Sequence, residues 1–599
     1  HAVASGCQAG AEKGRALMVV GRRPQRGHRF TESPVLQLAL QGWRSRTVGL
    51  LLMGAFLALV ARGFYLQVIN NDFLQQKGDS RYLRDIEVSA SRGKIMDRNG
   101  DMLAVSTPMK AIWAIPADAR TMAAPQKKQL ADLLDMPVRE LDGKIASEKT
   151  FVFVKRQVPP ETSDRIAALK LPGVHNEQEY RRFYPTGDMT AHIVGFTGVD
   201  DKGLEGVELA FQQSLLGHAG SRTVIRDRRG SIVEDVGATK PPRDGKDVRL
   251  ALDSKIQYLA YSHLKAAVEA NNAKAGGAIV IDARTGEILA LANLPTYNPN
   301  NRQHLSGAQL RNRAITDTFE PGSVMKPFTA ALALERGKVR FDTVINCAPG
   351  RMTIGSATIS DAHPHGALTV AQVIQKSSNV GTAKIALSFP PKEMWEMFDG
   401  IGFGQAPNLG FPGEVNGRLR PWKNWRPIEQ ATMSYGHGIA VSLVQLARAY
   451  TVFARDGELV PLSLIKLDDT PVRGVSVFSP HTMREVRAML EMAVQPEGTA
   501  PKARVPGYRV GGKTGTAYKV EGGVYAKKYV ASFVGIAPIS DPRLVVAVMI
   551  DEPTGGAHYG GDVAGPAFSQ ITGGALRTLG IRPDAPLQVA EAAAGKGRL

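Results

Sequence analysis

The stretch FEPGSVMKPFT, residues 319–329, places a serine three positions before a lysine, directly after a Pro-Gly corner able to start a helix. Residues i and i+3 share a helix face, so the amine of Lys326 is expected beside the hydroxyl of Ser323. Two readings follow: a nucleophile with its base, or a helix N-cap followed by a surface lysine. The spacing alone does not decide, because Ser-x-x-Lys recurs at Ser91, Ser262 and Ser463. Chemistry sharpens the question. A free lysine has a pKa of about 10.4, and a neutral-pH base must lose roughly 4 kcal/mol of that preference for the charged form, through burial or a second cation.

Working outward, the chain from about residue 245 reads as one large domain of mixed strands and helices. Residues 254–272 have the apolar spacing of a helix, and 275–293 read as two strands around an Asp-x-x-Thr-Gly-Glu turn. Residues 368–387 predict helix, short loop, helix, and 529–551 a second hairpin. Upstream, residues 70–235 carry short segments rich in glycine and mixed charge, read as a strand-rich pedestal. Within it SRGKIMDRNGDMLAVS, residues 91–106, predicts two strands about a DRNG turn, with Arg92, Asp97 and Arg98 in either a buried ion network or a solvated edge. GATKPPRDGKDVRLALD, residues 237–253, reads as the linker into the large domain, and the Ala/Gly-rich end from about Pro583 as a loose tail.

TVGLLLMGAFLALVARGFYLQVI, residues 47–69, is long enough at 1.5 Å per residue to cross a hydrocarbon layer of about 30 Å. Arg62 falls inside it, either snorkelling to the nearer surface or meeting another membrane protein. Arg22, Arg23, Arg26, Arg29, Arg44 and Arg46 precede the span, with Glu32 the single acid between Arg22 and Arg46, which predicts a cytoplasmic N-terminus and export of everything after Ile69. No small-residue cleavage site follows the apolar run, so it reads as an uncleaved signal anchor. Cys7 and Cys347, the two cysteines, then lie on opposite sides of the membrane and cannot pair within one chain.

The net charge of +18 suits an anionic partner: nucleic acid, membrane headgroups or a carboxylate-bearing polymer. No zinc-finger spacing, RNP-like motif or P-loop is present, which disfavours nucleic acid. Asp361, His363 and His365 invite a metal reading, but two histidines two apart beside a proline lack the usual ligand spacing, so no metal and no cofactor is expected. His437 and His558 read as structural or groove-lining residues, and Trp422 and Trp425 as either groove or core.

Two later segments accompany Ser323. KSSN offers Ser377 and Asn379 between helices, and GGKTGTA offers Lys513, Thr514, Gly515 and Thr516 on a strand edge. Serine, lysine and small hydroxyl residues are the parts an acyl-transfer site needs without histidine. In this order and spacing the three motifs resemble the penicillin-binding protein and serine β-lactamase superfamily, with YNPN, EPGS and YGGDVAGP in further agreement. The pedestal segments resemble class B penicillin-binding proteins, and QKSSNVG and KTGTA their division-specific branch.

The resemblance implies an α+β chain with a single N-terminal transmembrane helix. After a cytoplasmic tail (1–46) and the anchor (47–69) it implies a non-catalytic, dimerisation-type pedestal (70–235), a transpeptidase domain of antiparallel sheet flanked by helices (245–577) and a flexible tail (578–599). It implies that Ser323 attacks the carbonyl between two D-alanines of a peptidoglycan stem peptide, with Lys326 taking its proton. Lys513 would keep Lys326 neutral and, with Thr514 and Thr516, bind the terminal carboxylate; Gly515 lies between them. Ser377 would relay a proton to the leaving amine and Asn379 hold the substrate amide, while the backbone N–H groups of Ser323 and Thr516 form an oxyanion hole. Inhibition by β-lactams, a place in the bacterial inner membrane with the catalytic domain in the periplasm, and a SEDS-type glycan polymerase with other divisome membrane proteins as partners follow from the same resemblance. Against these stand a catalytically silent divisome scaffold and a β-lactam hydrolase; the latter needs a base to activate water, and no Glu-x-x-Leu-Asn-like segment supplies one.

Overall fold

The computed structural model describes residues 42–73, 77, 83–226, 232–235, 240–468 and 470–585. Most of the predicted N-terminal tail, including Cys7, Arg22, Arg23, Arg26 and Arg29, and the last fourteen residues lie outside this set.

The N-terminal unit contains helix α1 (Gly42–Phe64), continued by a π-helical turn, Tyr65–Ile69. It begins five positions before the predicted Thr47, because the flanking GWRSR has no helix breaker after Gly42. Together they are long and apolar enough to cross a membrane. Arg62 lies over the Tyr65 ring at 5.4 Å, a pairing that suits a cation held near an interface.

In the second unit the pedestal is built on a long central strand. β1 (Ile95–Met96) turns at DRNG into β2 (Met102–Ala114), which pairs antiparallel with β3 (Val152–Val158) and with β4 (Val174–Phe183). β5 (Val248–Arg249) runs parallel to β1. The expectation of a strand-rich pedestal needs enlarging, since helices at Ala124–Leu133, Val138–Ile145 and Pro160–Ala168 cover the sheet. Leu130, Leu141, Ile145 and Ile166 from them close a core over Ile112 and Val154.

Arg92, Arg182 and Glu208 resolve the choice between ion network and solvated edge. Glu208 accepts from Arg92 Nε at 2.6 Å and from Arg182 Nε at 2.7 Å, with all three side chains buried. Three separate motifs of the pedestal meet at this one carboxylate. The DRNG turn instead faces the large domain: Asp97 accepts from the N–H of Ser254, Asn99 Nδ2 donates to Asp253, and Arg98 reaches the buried Glu287 at 3.4 Å.

Asp253 is also the N-cap of α2 (Ser254–Ala270), accepting from the N–H groups of Lys255 and Ile256. The two strands expected next are β6 (Ala275–Asp282) and β7 (Ile288–Leu294), followed by α3 (Lys326–Glu335), α4 (Val370–Lys376) and α5 (Asn379–Ala386). β8 (Gly511–Glu521), β9 (Val524–Ala537), β10 (Leu544–Asp551) and α6 (Gly565–Thr578) complete the elements that frame the site. The antiparallel sheet has the order β7-β6-β10-β9-β8, leaving β8 at an edge, as the glycine-bordered KTGTA motif predicted.

Alternation along the strands sends Val280, Phe533, Val546 and Val548 to one face, against Ile256 and Leu264 of α2 and Phe568 and Ile571 of α6. Ile279, Ile281, Val534 and Val545 face the other way, toward a helical layer that contains Phe328, Leu443 and Tyr450. Each such fully buried large side chain contributes about 1.5–3 kcal/mol, so the sheet is fixed from both sides. Trp425 is buried and Trp422 packs against the same core, which settles both as core residues. The tail from residue 578 is not loose at its start: Tyr508 donates to the carbonyl of Ile581, and Asp584 accepts from Arg509 N–H and Ser540 Oγ.

Removing the shared carboxylate of the pedestal would strand two buried guanidinium groups. Glu208→Ala is expected to destabilise the protein by about 3–5 kcal/mol, read as a lowered unfolding midpoint of the detergent-solubilised protein; an unchanged midpoint would contradict the burial described.

Candidate active site

Ser323 sits on a corner that only backbone contact can hold. Gly322 has φ +64° and donates its N–H to the carbonyl of Gly436 at 3.2 Å, while a Cβ on Gly436 would come within 2.2 Å of the Gly322 carbonyl oxygen. A single 3-10 turn, Gly322–Met325, then leads into α3, whose first residue is Lys326. Phe328 anchors the helix against Phe403, Tyr450 and Phe453, and Tyr450 Oη donates to the carbonyl of Val324. Ser323 stays half-buried while Lys326 is fully buried. The N-cap-and-surface-lysine reading is therefore excluded.

The second motif is a tight break between helices. Ser377 ends α4 in the left-handed region (φ 61°), and Ser378 caps α5 by accepting from the N–H of Gly381. Asp361 holds this loop, accepting from Ser378 Oγ at 2.8 Å and from Val380 N–H at 2.9 Å. That is the actual work of the residue the sequence offered as a metal ligand. Among the described residues no group of three or more His, Cys, Asp or Glu is placed to hold a metal ion. Lys326 Nζ lies 3.0 Å from Ser377 Oγ and also donates to the Ser377 carbonyl, and Asn379 Nδ2 donates to the carbonyl of Ser360.

The third motif comes from β8. Lys513 is fully buried, with Nζ 3.1 Å from Thr514 Oγ1, and Thr516 Oγ1 accepts from the N–H of Gly560. Gly515 is where strand and serine corner touch: a Cβ there would meet Ser532 Oγ at 2.3 Å and the carbonyl oxygen of Pro321 at 2.8 Å. Burial, and then the charge of Lys513, push the Lys326 pKa well below the usual lysine value, with Asp361 opposing. Burial lowers Lys513 to about 7.

Ser323, Ser377, Asn379, Thr514 and Thr516 line one groove of about 700 Å³, whose wall also includes His437 and His558. The structure thus brings the three motifs to one place, with Lys326 and Lys513 as buried companions. Sequence reasoning missed Thr499, whose hydroxyl lies 3.2 Å from Thr514 Oγ1. It also missed Glu320, which accepts from the N–H of Gly438 and from Tyr525 Oη; its place within EPGS was the available signal.

A half-buried serine one turn before a fully buried lysine of depressed pKa, facing a Lys-Thr-Gly-Thr edge strand, defines a penicillin-recognising serine enzyme. Residues 276–573 match the family model of the penicillin binding protein transpeptidase domain, and residues 87–250 that of the penicillin-binding protein dimerisation domain. The chain is 47% identical over 89% of its length to the "Probable peptidoglycan D,D-transpeptidase PenA" of Neisseria gonorrhoeae, covering 92% of that relative. It is 43% identical over 91% of its length to the peptidoglycan D,D-transpeptidase FtsI of Escherichia coli (strain K12), covering 93% of it. The apo structure of the TP domain of Burkholderia pseudomallei penicillin-binding protein 3 superposes with a TM-score of 0.52 and 57% identity, covering 56% of this chain and 98% of that one. The chain belongs to the class B penicillin-binding proteins, with a dimerisation domain followed by a transpeptidase domain.

The contact at Gly515 can be tested directly. Gly515→Ala is expected to push β8 away from the serine corner and slow covalent labelling by benzylpenicillin by about 100-fold, the cost of an ångström-scale misplacement. Labelling within twofold of wild type would show that the strand has room to move.

Proposed function

We propose that this protein is a peptidoglycan D,D-transpeptidase that cross-links stem peptides through an acyl-enzyme on Ser323 during septal wall synthesis. The observation that carries the reading is Lys326: fully buried, depressed in pKa and within hydrogen-bond distance of Ser377 Oγ beside the Ser323 groove. Neutral Lys326 takes the Ser323 proton as Oγ attacks the D-Ala-D-Ala carbonyl. Lys513, Thr514 and Thr516 bind the terminal carboxylate, Gly515 allows the strand to close on the corner, and the N–H groups of Ser323 and Thr516 receive the developing oxyanion. One such donor is worth about 3–4 kcal/mol. Ser377 passes the proton to the departing D-alanine, and Asn379 orients the substrate amide. An amine of a neighbouring stem peptide then attacks the ester and restores Ser323.

Peptidoglycan as substrate and β-lactams as ligands fit the penicillin-binding transpeptidase family. We assign the chain to the inner membrane, a reading supported by one helix long and apolar enough to cross a membrane, with the arginines upstream of it supporting an exported catalytic domain. In domain terms we assign a cytoplasmic tail (1–46), anchor (47–69), pedestal (70–235), transpeptidase domain (245–577) and C-terminal tail (578–599). A SEDS-type glycan polymerase is the membrane partner this arrangement suits, contacting the anchor near Arg62, with other divisome proteins on the pedestal. Unchanged co-purification with such a polymerase in Arg62→Ala would remove that part of the reading.

Time-resolved intact mass with benzylpenicillin tests the enzymatic core. A single adduct that persists for hours in the wild type and is absent in Ser323→Ala is expected; rapid loss would identify a hydrolase, and no adduct on folded protein a scaffold. The rate of adduct formation should also be bell-shaped in pH. Protonation of Lys326 removes the base on the acid side. As pH rises through about 7, free Lys513 loses the charge that binds the antibiotic's carboxylate. In Lys513→Arg, whose side chain stays charged, the alkaline decline should disappear whatever the absolute rate; its persistence near pH 7 would assign that limb to another group.

A further inference from the structure

A second cavity, of about 230 Å³, lies beside the groove and shares Tyr518 with it. Its lining includes Asp317, Glu320, Arg418, Lys519 and Asp551. Most of these charges are matched: Arg313 holds Asp317, and Lys519 holds Asp551 and Glu552. Glu320 differs, because its partners are the Gly438 N–H at 2.8 Å and Tyr525 Oη at 3.1 Å. Burial raises its pKa, opposed by the Gly438 and Tyr525 hydrogen bonds and by the field of Arg418. Tyr525 in turn lies 5.9 Å from the ring of His437, which lines the Ser323 groove. Glu320, Tyr525 and His437 therefore form the wall between the two cavities, three residues upstream of the nucleophile in the case of Glu320.

We propose that this second cavity is the entry site of the acyl acceptor, taking an amino-acid centre with its ammonium at Glu320 and its carboxylate at Arg418. This rests on the transpeptidase reading above and names where its second substrate binds. The donor's terminal carboxylate belongs to the Lys513 and Thr514 end of the groove, so an acceptor must approach from elsewhere. A half-buried carboxylate that faces the cavity and accepts from only one N–H and one hydroxyl keeps the capacity to accept from an ammonium. Burial and the charge of Lys326 lower the His437 pKa to about 4, so the wall adds no positive charge to repel the ammonium.

The step balances as follows. Glu320 receives one proton from the ammonium, leaving a neutral amine. Its nitrogen forms the bond to the acyl carbon, the bond from that carbon to Ser323 Oγ breaks, and the second proton passes through Lys326 to Oγ. Glu320 then releases its proton to solvent. Glu320 is catalytic in this scheme, whereas Arg418 and Tyr525 are positioning residues.

The experiment uses the full-length, detergent-solubilised protein with a D-alanyl thioester donor, and D-alanine or D-alaninamide as acceptor. It reads the ratio of amide product to hydrolysis product, which depends on the fate of the acyl-enzyme and not on how fast it forms. Glu320→Gln should lower this ratio by about tenfold for both acceptors, and Arg418→Ala should abolish a preference for D-alanine over its amide. If Glu320→Gln does not fold, Tyr525→Phe at an exposed hairpin position decides, with an expected fall of about threefold. Ratios within twofold of wild type in these variants would overturn the proposal while leaving the transpeptidase reading intact. A wild-type protein that forms no benzylpenicillin adduct would overturn both.

Discussion

Two lysines buried beside one another govern this site. An isolated ammonium inside a protein is expensive, and a second cation nearby adds to that cost. Burial lowers both pKa values, and the charge of Lys513 adds to the effect on Lys326, which falls well below the usual range. The fold maintains this arrangement by taking the lysines from two layers, Lys326 from a helix fixed by aromatic packing and Lys513 from an edge strand fixed by the sheet. Neither element can retreat without breaking a core. The glycines at 436 and 515 are the counterpart of that constraint, because neighbouring atoms approach there too closely to admit a Cβ.

The same logic extends to the pedestal, where a buried charge is fully matched. Glu208 receives Arg92 and Arg182 together, tying three sequence-distant segments to one point. A hydrophobic substitute would pack as well, but it would not specify which segments meet. The DRNG turn then passes this order onward through Asp97, Arg98 and Asn99 to the start of α2, whose helix supports the sheet carrying β8.

The catalytic motifs were legible in the sequence because each is local: Ser323 and Lys326 are one turn apart, Ser377 and Asn379 flank one break, and Lys513 to Thr516 share one strand. The second helix of the layer, the hairpins and the edge position of KTGTA were legible for a similar reason, since periodicity and flanking glycines are short-range signals. What could not be read depends on contacts far apart in the chain. The spacing around Asp361 argued against a metal role but could not show its hydrogen bonds to Ser378 and Val380, and Glu320 gave no sign that Tyr525 would meet it across some 200 positions. The pedestal helices were obscured by short length and mixed charge, and the anchored start of the C-terminal tail by a composition that resembles a linker. Trp425 shows the limit most simply, as its burial depends on neighbours that no pattern around it specifies.

An acyl-enzyme that must wait for an amine has to be poor at using water, and the carboxylates around the groove bear on that requirement. Asp361 spends its oxygens on Ser378 and Val380, which fixes the Ser377 loop and withholds a base from the solvent side. Glu320 lines the neighbouring cavity, and its oxygens accept from the Gly438 N–H and Tyr525 Oη. Lys326, one helical turn after Ser323, has its amine at hydrogen-bond distance from Ser377 Oγ, which directs its proton-accepting capacity toward the serine chemistry. An amine brings its own nucleophilicity and needs only to shed protons, a demand that a buried carboxylate behind the wall and a neutral lysine in front of it can meet together.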